Sequence, residues 1–210
     1  MTLPIGALAP DFTAETTDGV IRFHDWLGDA WCMMVSHPKD FTPVCTTDLG
    51  GLARLKGGFV RRGVKVIGLA VDAVERHRAL AADIAAATGA APDFPMIGDA
   101  DLAIAKLYAM LPQGAAGDAG TRSAADNATV RTVHVIGPDK RIRLTLAYPM
   151  STGRNMAELL HVIDALQTTE RHRVGTPADW RPGEEVIILP STPDEEARAA
   201  FPGGWRAPLP

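Results

Sequence analysis

Thr42, Pro43 and Cys45 stand in the stretch His37-Pro-Lys-Asp-Phe-Thr-Pro-Val-Cys-Thr-Thr-Asp-Leu49, and their spacing suits nucleophilic chemistry at sulfur. Threonine is a good helix N-cap, and proline is tolerated at N1, where its missing N–H would be unsatisfied anyway. Counting on, Val44 is N2 and Cys45 is N3. In that first turn, free backbone N–H groups and the positive end of the helix dipole favour a thiolate over a thiol. The ordinary thiol pKa of about 8.5 is expected to fall to about 5–7 there. A lone cysteine is more often a small buried hydrophobe. Cys45 instead lies between a capping turn and a Thr-Thr-Asp segment, outside any apolar stripe.

The elements that must position this sulfur can be read outward from it. Trp31 to Ser36 is an apolar run of strand length that feeds the motif. The helix opened at Thr42 is expected to reach about Arg62, with Gly63 as its C-cap. It carries two glycine pairs, Gly50-Gly51 and Gly57-Gly58, each glycine costing roughly 1 kcal/mol against alanine. Close helix–sheet packing is the plainer reason for them; a first half that loosens to present an oxidised Cys45 is the other. Upstream, residues 10–23 alternate around Asp18-Gly19, a hairpin signal. Downstream come a buried strand over Val64–Val71, a helix over Val74–Thr88 ended by Gly89, a short strand at Pro95–Ile97 and a helix over Asp101–Met110. Residues 112–128, rich in Gly, Ala, Asp and Ser, read as a surface loop. Thr129–Ile136 and Arg141–Tyr148 form a hairpin across Gly137-Pro-Asp-Lys140, and Asn155, with Glu158 three residues on, opens a helix to about Thr168. That order is the one of a thioredoxin-like α/β sandwich.

With 210 residues the chain can bury one full core and a small appendage. A net charge of -4 gives no electrostatic case for nucleic acid or an anionic membrane. No apolar run approaches the ~20 residues of a membrane span. The N-terminus lacks a charged n-region and a long h-region, so no signal peptide is expected. Two cysteines make no disulfide framework, and a reduced, cytoplasmic home follows as the default. The six histidines are scattered, with no H-E-x-x-H or Cys–His spacing for a metal, and no cofactor is expected. After Glu170 the chain turns proline-rich; Val186–Leu189 reads as a strand and Thr192-Pro-Asp-Glu195 as a capping box with proline at N1. That tail is too small for a core of its own. Trp180, Val186–Leu189 and Phe201 are expected to pack on the first domain or on a second subunit.

Pro38, Thr42 and Cys45 spell P-x-x-x-T-x-x-C, and the string Ser36–Leu49 around them resembles the active-site signature of the peroxiredoxins, the 1-Cys subfamily in particular. Arg22–Asp29, Gly137–Lys140, Tyr148-Pro149, Thr152–Asn155 and Thr176–Trp180 are similar to that subfamily as well, so the resemblance runs from about Ile5 to Phe201. It implies a thioredoxin-like domain over 1–168 and a C-terminal dimerisation extension over 169–210. It also implies a thiol-dependent peroxidase acting on hydrogen peroxide and organic hydroperoxides, recycled by an external thiol, in a homodimer or a larger ring of dimers. In-line attack of sulfur on one peroxide oxygen drives charge onto the other, so donors must be aimed along that line. On the resemblance, Cys45 is the nucleophile that becomes a sulfenic acid. Thr42 contacts the thiolate or the peroxide, and Pro38 shields the sulfur from water. Arg131 keeps the thiolate ionised and binds the peroxide, with Arg154 as a second support and His37 lining the pocket. On its own residues, Arg131 reads as a surface arginine at the start of a strand.

Other readings start from the same sulfur. A thiol–disulfide oxidoreductase needs C-x-x-C, and Thr46, Thr47 and Asp48 follow Cys45. A Cys–His hydrolase pairing Cys45 with His37 is permitted by the sequence. So is a redox-regulated holdase assembly. A serine lipase of the kind assigned to some 1-Cys peroxiredoxins is disfavoured, because Ala30 stands at the serine position of Gly28-Asp-Ala-Trp-Cys32. No cysteine follows Cys45, and Cys32 lies in the buried-strand run, so no resolving cysteine is expected.

Overall fold

The computed structural model describes residues 3–112, 129–202, 204, 206 and 207; apart from Pro112, the expected surface loop at 112–128 lies outside them. The chain divides into two compact units, Met1–Met156 and Ala157–Pro210.

The first unit is built on a seven-stranded sheet of order β2-β1-β5-β4-β3-β6-β7. Its strands are β1 (Thr13–Thr16), β2 (Gly19–Arg22), β3 (Trp31–Ser36), β4 (Val64–Ala70), β5 (Met96–Gly98), β6 (Arg131–Ile136) and β7 (Ile142–Tyr148). The hairpin expected around Asp18-Gly19 is β1–β2, paired Thr16 with Gly19. At the centre, β3 pairs parallel with β4 and antiparallel with β6. Cys32 to Ser36 are all buried, as a continuous apolar run between two neighbours requires. Phe23, Leu27, Met34, Ile67, Leu69, Ile97 and Ile136 form the core beside them, each large side chain contributing about 1.5–3 kcal/mol by leaving water. This is the mixed α/β, thioredoxin-like arrangement.

The helices of this unit are α1 (Phe23–Leu27), α2 (Pro43–Arg54), α3 (Lys56–Arg61), α4 (Val74–Thr88) and α5 (Ala103–Leu107). α4 has the expected bounds, closed by Gly89 in the left-handed conformation. The single helix expected from Thr42 to Arg62 is two. The break falls at Leu55, whose N–H reaches back only three residues to Leu52, just before the weak helix formers Gly57 and Gly58. The other glycine pair has a packing reason. A Cβ on Gly50 would come within 2.5 Å of the Thr88 side chain of α4, and one on Gly51 within 3.0 Å of Met156. α5 is shorter than expected, because Leu102 and Ala109 take left-handed conformations on either side of it. α1 escaped the sequence reading: five residues are too few for a helical period to show.

In the second unit α6 (Met156–His172) contributes all but its first residue and is followed by β8 (Val174–Gly175), β9 (Val186–Ile188), α7 (Asp194–Ala200) and β10 (Arg206–Ala207). The strands form a separate antiparallel sheet of order β10-β9-β8. Here the sequence expectation needs correction. Val174, Trp180, Val186 and Phe201 are buried against one another, with Ala165 and Ile188 beside them, so the tail does make a small core. α7 starts with Pro193 at the N-cap, not Thr192, and no side chain caps it. Among the described residues no helix is long and apolar enough to cross a membrane.

Candidate active site

The carboxyl end of β3 delivers Ser36, His37 and Pro38, all buried, to the place where β6 begins. Two hydroxyls stitch the ends together. Ser36 Oγ donates to the Val130 carbonyl at 2.6 Å and accepts the Thr132 N–H at 3.0 Å; Thr129 donates to the His37 carbonyl at 2.7 Å. The β3–β6 register runs Cys32–Ile136 to Val35–Val133, and two further steps bring Arg131 level with His37. Fold topology thus carries the arginine to the motif from far along the chain.

α2 supplies the sulfur. Thr42 is the N-cap residue in an extended conformation, Pro43 is N1, and Cys45 falls at N3, fully buried. Thr42 accepts the first helical bond through its carbonyl, from Thr46 at 2.9 Å. Its side chain does not cap the helix: the hydroxyl donates to the Lys39 carbonyl at 3.3 Å. The expected helix start is therefore right, while the expected capping bond is replaced by a turn bond.

One helical turn after Cys45 comes Asp48, a residue the sequence reading passed over. Its buried carboxylate gathers both arginines. Oδ1 accepts the Arg154 backbone N–H at 3.0 Å; Oδ2 lies 3.3 Å from Arg154 Nη2 and 3.3 Å from Arg131 Nη1. Arg131, 1% exposed, gives Nε and Nη2 to the Met150 carbonyl at 3.1 and 2.9 Å. It is no surface arginine. Arg154 Nη2 also donates to the Ser36 carbonyl, but its Nε and Nη1 are buried without a partner among the described residues. Burial pulls the Arg154 pKa down, against the Asp48 and Cys45 charges, which raise it; Arg131 lowers it further. Two cations gathered on one carboxylate, one of them with unengaged donors, make a pocket that suits an oxygen on which negative charge develops.

His37 is anchored through its Nε2 in a second buried chain of contacts. Its Nε2 is 2.7 Å from Asp40 Oδ1, and Asp40 Oδ2 is 2.7 Å from His77 Nδ1 on α4. His77 Nε2 is 3.1 Å from the Ile97 carbonyl. Burial pushes the His37 pKa down, more than the Asp40 contact raises it. Burial would raise Asp40, but hydrogen bonds from the two histidines outweigh it and hold its pKa at about 2. The three residues form a donor set with atoms within 4.8 Å of one another, a juxtaposition that their spacing in sequence hid. A cation there would have to break two 2.7 Å hydrogen bonds. Cys32, on central β3, is fully buried, and burial drives its thiol pKa far up.

The structure brings Cys45, Arg131 and Arg154 to one buried cluster, with Pro38, Thr42 and His37 on the adjoining chain. Against known proteins, residues 5–145 match the AhpC/TSA family and residues 165–204 the C-terminal domain of 1-Cys peroxiredoxin. The chain is 48% identical over 206 residues to peroxiredoxin-6 of Rattus norvegicus, covering 96% of this chain and 90% of that relative. Among solved structures it superposes on a mutant of the peroxiredoxin 6 of Arenicola marina, with TM-score 0.90, 38% identity and 99% of each chain covered. It also superposes on the yeast mitochondrial 1-Cys peroxiredoxin, with TM-score 0.85, 41% identity and 99% of each chain covered.

Proposed function

This chain belongs to the AhpC/TSA family, in its 1-Cys peroxiredoxin form, and is a thiol-dependent peroxidase; from that premise we propose that Cys45 is the sulfur oxidised. Thr42, Pro38, Arg131, Arg154 and His37 serve it. The observation that carries this reading is Asp48 holding two buried guanidiniums one turn from a buried N3 cysteine, with Arg154 Nε and Nη1 left open. The thiolate attacks the hydroxyl-bearing oxygen of a hydroperoxide. The O–O bond breaks, Cys45 becomes a sulfenic acid, and the leaving oxygen departs as hydroxide or alkoxide and takes a proton from water. Arg154 donates to that oxygen as its charge grows, and Arg131 holds the cluster in place. An external thiol then condenses with the sulfenic acid, losing water, and a second thiol releases the cysteine as thiolate and a disulfide.

The reading extends to the architecture. A peroxidase core to about residue 168 is followed by an arm, 169–210, that joins two copies into a homodimer or a ring of dimers in the cytoplasm. The 165–204 match to the 1-Cys C-terminal domain supports the arm. β7 supports pairing, since it ends the large sheet and its outer row of backbone groups can template another strand. Both cysteines stand free, which suits a reducing compartment.

Reduced protein supplied with hydrogen peroxide and excess dithiothreitol tests the assignment. Peroxide consumption by the native chain and none by Cys45→Ser is the expected result. Undiminished consumption by Cys45→Ser overturns it.

A further inference from the structure

His77 packs edge-on against His37, ring centroids 5.8 Å apart, and the two imidazoles share the Asp40 carboxylate. We propose that His77 is a positioning residue of the peroxidase site: through Asp40 it fixes His37 as the neutral Nε2–H tautomer and leaves the Nδ1 lone pair free to accept the O–H of a bound hydroperoxide.

Counting protons leads there. The Ile97 carbonyl can only accept, so His77 Nε2 carries a hydrogen. An ionised Asp40 can only accept, so His77 Nδ1 donates to its Oδ2 and His37 Nε2 donates to its Oδ1. His77 is then an imidazolium that cancels the charge of Asp40, in a cluster whose three side chains are all 0% exposed. His37 has spent its one N–H. A second proton on it would leave a net charge among buried groups, and burial together with Arg154 disfavours that. The nitrogen that remains, His37 Nδ1, is buried and has no partner among the described residues. A histidine's free nitrogen is set by the bond its other nitrogen makes, and here that bond ends on Asp40 and His77.

His37 follows Ser36, whose carbonyl takes Arg154 Nη2, and the Arg154 guanidinium lies in the field of Cys45. Arg154 also acts directly on the charge of His37, and in this proposal the Nδ1 lone pair lies in that shared pocket. An acceptor complements two cations there: the hydroperoxide oxygen that sulfur attacks bears the only O–H of an alkyl hydroperoxide. One further carboxylate meets the chain at Asp40. Asp72 accepts the Asp40 N–H at 2.8 Å and is itself paired with Arg76 at 3.0 Å.

Without His77, the charge of Asp40 falls to His37 alone. His37 would take a second proton on Nδ1, replacing an acceptor with a cation. The test has two arms. In the reduced native protein at pH 7, nitrogen-15 spectra of the imidazoles should show His37 unprotonated at Nδ1 and protonated at Nε2, with His77 protonated at both. A proton on His37 Nδ1 overturns the proposal, and this arm needs no variant to fold. In the second, stopped-flow oxidation of Cys45 is followed against pH in His77→Asn, whose amide can still donate but brings no charge. The variant should be about tenfold slower near pH 6 and approach the native rate as the pH rises well above the ordinary histidine value of about 6.5. A deficit of the same size at every pH marks a merely structural role and overturns the proposal as well. The inference rests on Cys45 being the peroxidatic sulfur. If Cys45 ignored peroxide, that reading would fall, while the tautomer spectra would still decide the hydrogen-bond chain.

Discussion

Asp48 holds Arg154 at two points, the backbone N–H at 3.0 Å and the guanidinium Nη2 at 3.3 Å, and so ties a distant loop to the first turns of α2. The same carboxylate meets Arg131. Replacing it with an amide would leave two buried cations without a counter-charge. Asp48→Asn should cost about 3 kcal/mol of stability, read from urea unfolding, and slow Cys45 oxidation at least about tenfold. A variant as stable and as fast as the native chain would take Asp48 out of the site.

The arginines should separate by substitution. Arg131 uses all three nitrogens on Met150 and Asp48, so its role is fixation. Arg131→Lys keeps the charge but not the fork and should retain part of the rate, where Arg131→Met retains almost none. Arg154→Met removes the open Nε and Nη1 donors and should lower the rate by about 10²-fold, the usual cost of one oxyanion donor. Stopped-flow rates of sulfur oxidation distinguish the two; equal, small effects would contradict the assignment.

Oxidation should stop at a single sulfur. Cys32 is sealed in β3 with its thiol protonated, so one equivalent of peroxide should add one oxygen to Cys45 and form no disulfide. Excess peroxide should carry Cys45 on to sulfinic and sulfonic acid. A mass loss of two hydrogens, with a Cys32–Cys45 peptide pair, would overturn the single-cysteine mechanism.

Mild acid should already weaken the fold. Burial lowers the pKa of His37 and of His134, which sits between the Tyr108 carbonyl and the Thr145 hydroxyl. Below the ordinary value of 6.5 the unfolded chain binds protons that the folded one refuses, so stability rises with pH and is lost as pH falls. Each histidine contributes at most about 1.4 kcal/mol per pH unit. Asp40 acts lower down: its contribution is present above 3.8 and fades as the pH approaches about 2. Urea midpoints should therefore drop between pH 7 and pH 5. A flat profile would contradict a surplus of imidazoles held neutral in the fold over those held charged.

Association is expected to need the second unit. A chain ending after Thr169 should lose the homodimer or aggregate, and sedimentation of the full-length chain should give a dimer or larger. A stable full-length monomer at micromolar concentration would count against the dimerising arm.

What the sequence made legible was local. Thr42-Pro43 announces a helix start, and counting from it puts Cys45 at N3; Val74 to Gly89 carries its own stop signal; β3 is a continuous apolar run. Asp48 and Arg154 are 106 residues apart, and no periodicity links them. His77 is one more histidine on a helix until the β3-to-α2 turn is folded against it. The small core of the second unit stayed hidden for a similar reason: Trp180, Val186 and Phe201 come from three short segments, each too brief to show which face is buried. The familiar motif named the chemistry, and only folding disclosed what holds it.

The close approach of Gly50 to Thr88 also sets how far the reactive sulfur can travel. Asp40 is moored by the two histidines, Gly50 by its contact with α4, and Cys45 lies five residues from each. Folded as helix, the five residues from Cys45 to Gly50 span about 7.5 Å; fully drawn out, either arm reaches at most about 17 Å. The cysteine is thus on a leash fixed at both ends. A thiol reductant must come to within that radius, and a bulkier residue at position 50 would slacken the far mooring and lengthen the tether.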